Sequence, residues 1–158
     1  MCDLCTKQCQ PRIKTQRRGA VRTLPFEDLE VDFTEVKPYR DCKYLFVVVS
    51  TDSGWAEAYS THTQQAREVA KALLRDMILR YGLPLSIGSD NGPGFVSQRI
   101  QALSRTLGIK WKLHIAYRPQ SSGKAECVNW TLKTTLAKLC QETQLSWVNM
   151  LSLALLRV

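Results

Sequence analysis

A chain of 158 residues, 44% of them hydrophobic, holds apolar material for one core and too little length for a second. No run approaches the roughly 18 apolar residues of a membrane span, and no signal-peptide pattern opens the chain, so a soluble intracellular protein without a membrane partner is expected. The formal charge of +8 is uneven: residues 1 to 23 hold six Lys/Arg against one acid, net +5, and the remainder 16 against 13, net +3. That imbalance excludes little but points to a polyanion, nucleic acid above all, as partner.

In chain order, residues 1–23 are polar, basic and aperiodic, an arm or linker, and the ordered domain is expected over 24–158. "LEVDFTEV" alternates, Leu29, Val31 and Phe33 on one face and Glu30, Asp32 and Thr34 on the other, which predicts a strand. "KYLFVVVSTD" is the unbroken apolar run of a strand buried on both faces, and "WAEAYSTH" after Ser53-Gly54 its hairpin partner. From Thr63, a candidate cap, Ala66, Val69, Ala70, Leu73, Leu74, Met77, Ile78 and Tyr81 follow helical spacing until Gly82 and Pro84. "LPLSIGSDNG" reads as a short strand into a turn, "FVSQRIQALSRTLG" as a helix, and "IKWKLHIA" as a fifth strand. After the loop "YRPQSSG" a long helix is predicted from Lys124 to Glu142, with Val128, Leu132, Leu136 and Leu139 inward. "WVNMLSLALLRV" then reads as a last helix cut short by the chain end. The order β-β-β-α-β-α-β-α-α implies an α/β fold, a five-stranded mixed sheet flanked by helices.

Three acids fall where regular backbone would hold them: Asp32 in the first strand, Asp90 at the end of the fourth, and Glu126 in the first turn of the long helix. Carboxylate oxygens suit hard divalent cations, and two such ions roughly 3.5–4 Å apart clamp the attacking and leaving oxygens of a phosphodiester displacement. Taken singly, each acid also has a bland explanation. An Asp before Asn-Gly is ordinary turn chemistry, and a Glu in a first turn complements the helix dipole.

The stretches "LEVDFTEV", "SDNGPGF" and "RPQSSGKAECVNWTLK", in that order and with 35 residues between Asp90 and Glu126, resemble the catalytic core of a retroviral integrase. "YGLPLSIGSDNG" and the terminal "WVNMLSLALLRV" are most similar to the gammaretroviral or endogenous-retroviral branch, and the likeness covers essentially the whole chain. The resemblance implies an RNase H-like fold and a polynucleotidyl transferase that trims viral DNA 3′ ends and joins them to target DNA. By it, Asp32, Asp90 and Glu126 are the catalytic and metal-binding residues, holding two Mg²⁺ or Mn²⁺ ions. Asn91, Tyr117, Gln120, Ser122, Lys124, Asn129 and Lys133 are the DNA-binding set, Asn91 and Asn129 either facing DNA or supporting the acids. Partners implied are viral and target DNA and a second copy of the chain in a homodimer or higher oligomer, with no small-molecule substrate. The setting implied is the nucleus, the cytoplasmic pre-integration complex or the virion.

Two departures matter. Cys127 and Trp130 stand where relatives place arginines, each one C-to-T transition at a CpG from an Arg codon. That is the decay expected of a methylated genomic copy, and it points to an endogenous retroviral origin. The loss of two cations beside Glu126 keeps open an alternative, a non-catalytic DNA- or protein-binding remnant. Second, Cys2-x-x-Cys5 has half the spacing of a zinc site, and such integrases carry an N-terminal His-His-Cys-Cys module. The histidine pair is absent here, so the arm is read as a remnant and no structural zinc is expected. His62 and His114 are read as partly buried core imidazoles, and the six cysteines as thiols.

Overall fold

The structure, a computed structural model, describes residues 25–113 and 123–158. Strand β1 (Asp28–Tyr39) pairs antiparallel with β2 (Cys42–Ser50), and β2 with β3 (Ala56–Thr61). β1 outruns the predicted strand because the ladder continues past an irregularity between Glu35 and Tyr39, where exposed Pro38 is tolerated. Arg40, at φ 52°, then closes the hairpin. On the other side of β1 lie β4 (Ser86–Ser89) and β5 (Lys110–Leu113), both added parallel, giving the sheet order β3-β2-β1-β4-β5. The predicted fifth strand ran to Ala116; its last three positions lie outside the described residues.

Helices cover both faces. α1 runs from Ala66 to Tyr81, as α-helix at Ala66–Ala72, a π-helical turn at Leu73–Met77 and α-helix again at Ile78–Tyr81. Gln65 rather than Thr63 precedes its first turn, and no side chain caps it. α2 (Gln98–Leu107) starts under the hydroxyl of Ser97, which accepts from Ile100 N at 3.3 Å, and stops at Gly108 in the left-handed conformation, φ 70°. α3 (Gly123–Thr143) and α4 (Trp147–Leu155) complete the chain.

β2 explains why the sheet must be sandwiched. Leu45 to Ser50 are all buried, and alternate residues enter opposite cores. Phe46 and Val48 join Leu29, Val31, Val69, Leu73, Ile87 and Ile100 on the α1–α2 side. Leu45, Val47 and Val49 join Leu132, Leu136, Trp147 and Leu151 on the α3–α4 side. A strand apolar on both faces is stable only where both are covered. Trp147 Nε1 donates to the Lys37 carbonyl at 2.7 Å and so ties α4 to β1. Among the described residues no helix is long and apolar enough to cross a membrane.

Candidate active site

Parallel pairing of β1 with β4 aligns Glu30 with Gly88. Asp32 follows two residues later in β1 and Asp90 two residues after Gly88, just past the end of β4, so the parallel register brings the two acids to the same end of the strand pair. α3 approaches from the other face. Asn129 Nδ2 donates to Asp32 Oδ2 at 2.7 Å across 97 residues of sequence, and Glu126 lies one turn earlier on the same helix.

Asp32 is half-buried, and its other oxygen accepts from Phe33 N at 2.8 Å. Its pKa is pushed up to about 6, first by burial and then by the negative charge of Asp90, with a smaller push from Glu126; the bonds from Phe33 and Asn129 pull the other way. The three acids therefore share one electrostatic neighbourhood. Asp90 is exposed, its Oδ1 accepting from Gly92 N at 2.9 Å, which holds the carboxylate over the turn. Glu126 is exposed at the head of α3.

An aromatic tie below Asp90 is not visible in the motif reading. Phe95 lies 5.3 Å from Phe33 and 6.2 Å from Trp111, and Trp111 Nε1 donates to Ser89 Oγ at 2.9 Å, one residue before the acid. The loop after β4 is thus fastened to the α1–α2 core on both sides of Asp90. An apolar Phe following Gly-Pro-Gly was the available signal.

The donor chemistry fits a hard divalent cation: oxygen ligands only, with converging negative charge that a cation would relieve. Among the described residues, however, no three His, Cys, Asp or Glu side chains are grouped so that they could hold a metal ion together. The acids converge without enclosing a site. Asn129 is 8% exposed and its amide is turned to Asp32, and among the described residues its Oδ1 is buried without a partner.

Of the other expected DNA-binding residues, Asn91 and Lys133 are exposed. Lys124 is exposed too, its Nζ donating to the Thr51 carbonyl at the end of β2. Tyr117, Gln120 and Ser122 lie outside the described residues, as do His114, Cys2, Cys5 and the whole 1–23 arm. Trp130 is 37% exposed on α3. Cys42 and Cys140 are free thiols, but Cys127 is in a disulfide, against the expectation of thiols throughout. His62, expected as a partly buried core imidazole, is exposed one residue past β3, because the strand ends at Thr61.

Residues 22–119 match the family model described as the integrase core domain; Glu126 falls beyond that match. The chain is 62% identical over 130 residues to the Pol polyprotein of feline endogenous virus ECE1, covering 81% of this chain and 12% of that polyprotein. It therefore spans a small part of such a relative. Among solved structures it is similar to the simian T-cell lymphotropic virus intasome in complex with PP2A regulatory subunit B56 gamma. The TM-score is 0.75 at 36% identity, over 84% of this chain and 48% of that one. It is likewise similar to the HTLV-2 integrase catalytic core domain in complex with magnesium (trimeric form), TM-score 0.70 at 31% identity, over 84% of each chain. The expected RNase H-like fold, with its mixed five-stranded sheet, is the fold observed.

Proposed function

The chain belongs to the integrase core domain family, in a gammaretroviral-like form, and from that premise we propose that it is the catalytic core of a polynucleotidyl transferase that trims viral DNA 3′ ends and joins them to target DNA. The observation that supports this reading is the field of Asp90, and more weakly of Glu126, at the half-buried Asp32, which adds to burial in raising its pKa.

Asp32, Asp90 and Glu126 would hold two Mg²⁺ or Mn²⁺ ions. Bound there, the ions supply charge stabilisation to the attacking and leaving oxygens of an in-line phosphodiester displacement. The protein's part is positioning. Phe33 N and Asn129 Nδ2 fix both oxygens of Asp32, Gly92 N fixes Asp90, and the first turn of α3 presents Glu126. Asn91, Lys124 and Lys133, with Tyr117, Gln120 and Ser122 of the preceding loop, would engage the DNA backbone and viral end, so binding weakens steeply with salt. The 1–23 arm adds basic charge to the same task, as a remnant of an N-terminal zinc module that binds no structural zinc. A homodimer or higher oligomer working on DNA in the nucleus, reached through a virion or pre-integration complex, is the assembly this reading requires.

A second reading, a DNA- or protein-binding remnant without efficient chemistry, draws on Cys127 and Trp130 in place of arginines and on the lack, among the described residues, of three acids grouped to hold a metal. One assay separates the two. The purified chain is given Mn²⁺ and a branched strand-transfer product, and release of the rejoined strands is followed. Release by wild type and not by Asp90→Asn supports the transferase. Equal inertness of both, with DNA binding retained by both, establishes the remnant.

A further inference from the structure

Away from the acids, the tip of the β1–β2 hairpin and α4 enclose a cleft of about 320 Å³, lined among others by Arg40, Asp41, Cys42, His62, Val148 and Asn149. The antiparallel register pairs Tyr44 with Thr61, so Cys42, two residues back on β2, and His62, one residue past β3, meet at the end of the sheet. Their Sγ and Nδ1 atoms are 3.8 Å apart, within hydrogen-bond range for sulfur. Cys42 is half-buried with the cleft open before it, and the imidazole is exposed. A thiol against a base, facing a space large enough for a second reactant, is the arrangement of an activated nucleophile. Nearby charge is mostly positive. Arg40 lies over the Tyr39 ring and Lys43 over the Tyr44 ring, at 5.5 and 5.3 Å. Asp41 is the acid of the lining, and α4 contributes uncharged Val148 and Asn149.

We propose that Cys42 is a modification site that takes small disulfides of the glutathione class, with His62 as its base. His62 Nδ1 accepts the thiol proton and the Cys42 sulfur attacks one sulfur of the disulfide. The S–S bond of the reagent breaks, and the departing thiolate takes the proton back from the imidazolium. One protein thiol and one disulfide give one mixed disulfide and one free thiol. The added group lodges between the hairpin and α4, beside the Trp147–Lys37 bond that docks the helix. Asp32 lies seven residues back along β1, about 20 Å away, so the acids keep their partners.

The test is to incubate the full chain with oxidised glutathione, quench with acid and map the adducts by peptide mass spectrometry. Cys140, the other described free thiol, is half-buried against the same α3–α4 core as Cys42 but does not line the cleft, and serves as the internal reference. Cys42 is expected to be modified faster than Cys140 in the folded chain and at the same rate in urea. His62→Ala is expected to slow Cys42 by roughly tenfold, to leave Cys140 unchanged, and to be rescued by added imidazole. Equal folded-state rates at the two cysteines overturn the proposal, as do an unchanged Cys42 rate in His62→Ala and a loss that imidazole does not restore. Should His62→Ala fail to fold, His62→Gln, which keeps a polar side chain without a base, takes its place with the same outcomes.

Discussion

The two faces of the sheet are built from one set of strands and serve different ends. On the α1–α2 face, β1 contributes Leu29, Val31 and Phe33 to a cluster of hydrocarbon and rings that includes Phe46, Phe95, Leu73 and Ile100. On the α3–α4 face the same strand contributes Asp32, which meets an amide and the fields of two other carboxylates. The first face is a buried apolar layer edged by the phenols of Tyr59 and Tyr81, whose pKa values burial raises further. The second tolerates a half-buried acid because the start of α3 opens the layer to solvent at that point, as the exposure of Lys124 and Glu126 shows. Stability and chemistry are thus divided between faces of a single strand, one residue apart.

The division can be broken experimentally, and the largest effect should come from the chemical side. Asp90→Asn is expected to lower strand release in the disintegration assay by on the order of a thousandfold or more, with far-ultraviolet circular dichroism unchanged. Retained activity would place the reaction elsewhere. Next comes the apolar side: Phe46→Ala, fully buried, should cost about 3–5 kcal/mol in urea melts. A loss below about 1 kcal/mol would mean that this face is not the main support.

Asp32→Asn sharpens the contrast, since it should abolish activity while raising stability. A folded-state pKa of about 6 against an ordinary value of 3.8 means that the folded chain favours the neutral acid. That contribution is present in full below pH 3.8 and is lost as pH rises through 6. At pH 7.5 without divalent ions the substitution should stabilise by about 1–2 kcal/mol, after discounting for partial exposure. Mg²⁺ should raise the melting temperature of wild type and not of the variant; equal shifts in both would remove Asp32 from the cation site. The smallest effect is expected from Ser97→Ala, which removes the cap of α2 on the apolar side. Its cost in a urea melt should be about 1 kcal/mol, and strand release should stay at the wild-type rate.

Much of this fold is legible in local pattern. The alternation of "LEVDFTEV" assigns Leu29, Val31 and Phe33 to one face and Asp32 to the other, and the unbroken run in β2 announces burial on both sides. Gly108 ends α2 where the helical period stops. The π-helical turn at Leu73–Met77 carries no such mark, because its apolar spacing satisfies an ordinary helix as well. Asn129 shows the limit for the site. Its helical face, shared with Glu126, follows from spacing, but whether that face turns to DNA or to Asp32 depends on how α3 docks. Trp111 and Ser89 are similar, ordinary strand residues whose bond beneath Asp90 appears only when β4 and β5 pair. The Cys42–His62 pair likewise needs the β2–β3 register.

By itself, then, the sequence determined which segments become strands and helices, which residues of each point inward, and which three acids its likeness to an integrase core singles out. Those are matters of short-range period and motif. Only the tertiary structure decided that Asp32 is gripped by an amide 97 residues away, that its charge is opposed by Asp90 and Glu126, and that a thiol and an imidazole meet at the far end of the sheet. Such contacts depend on strand register and helix docking, which are set by the packing of the whole core rather than by any stretch within it.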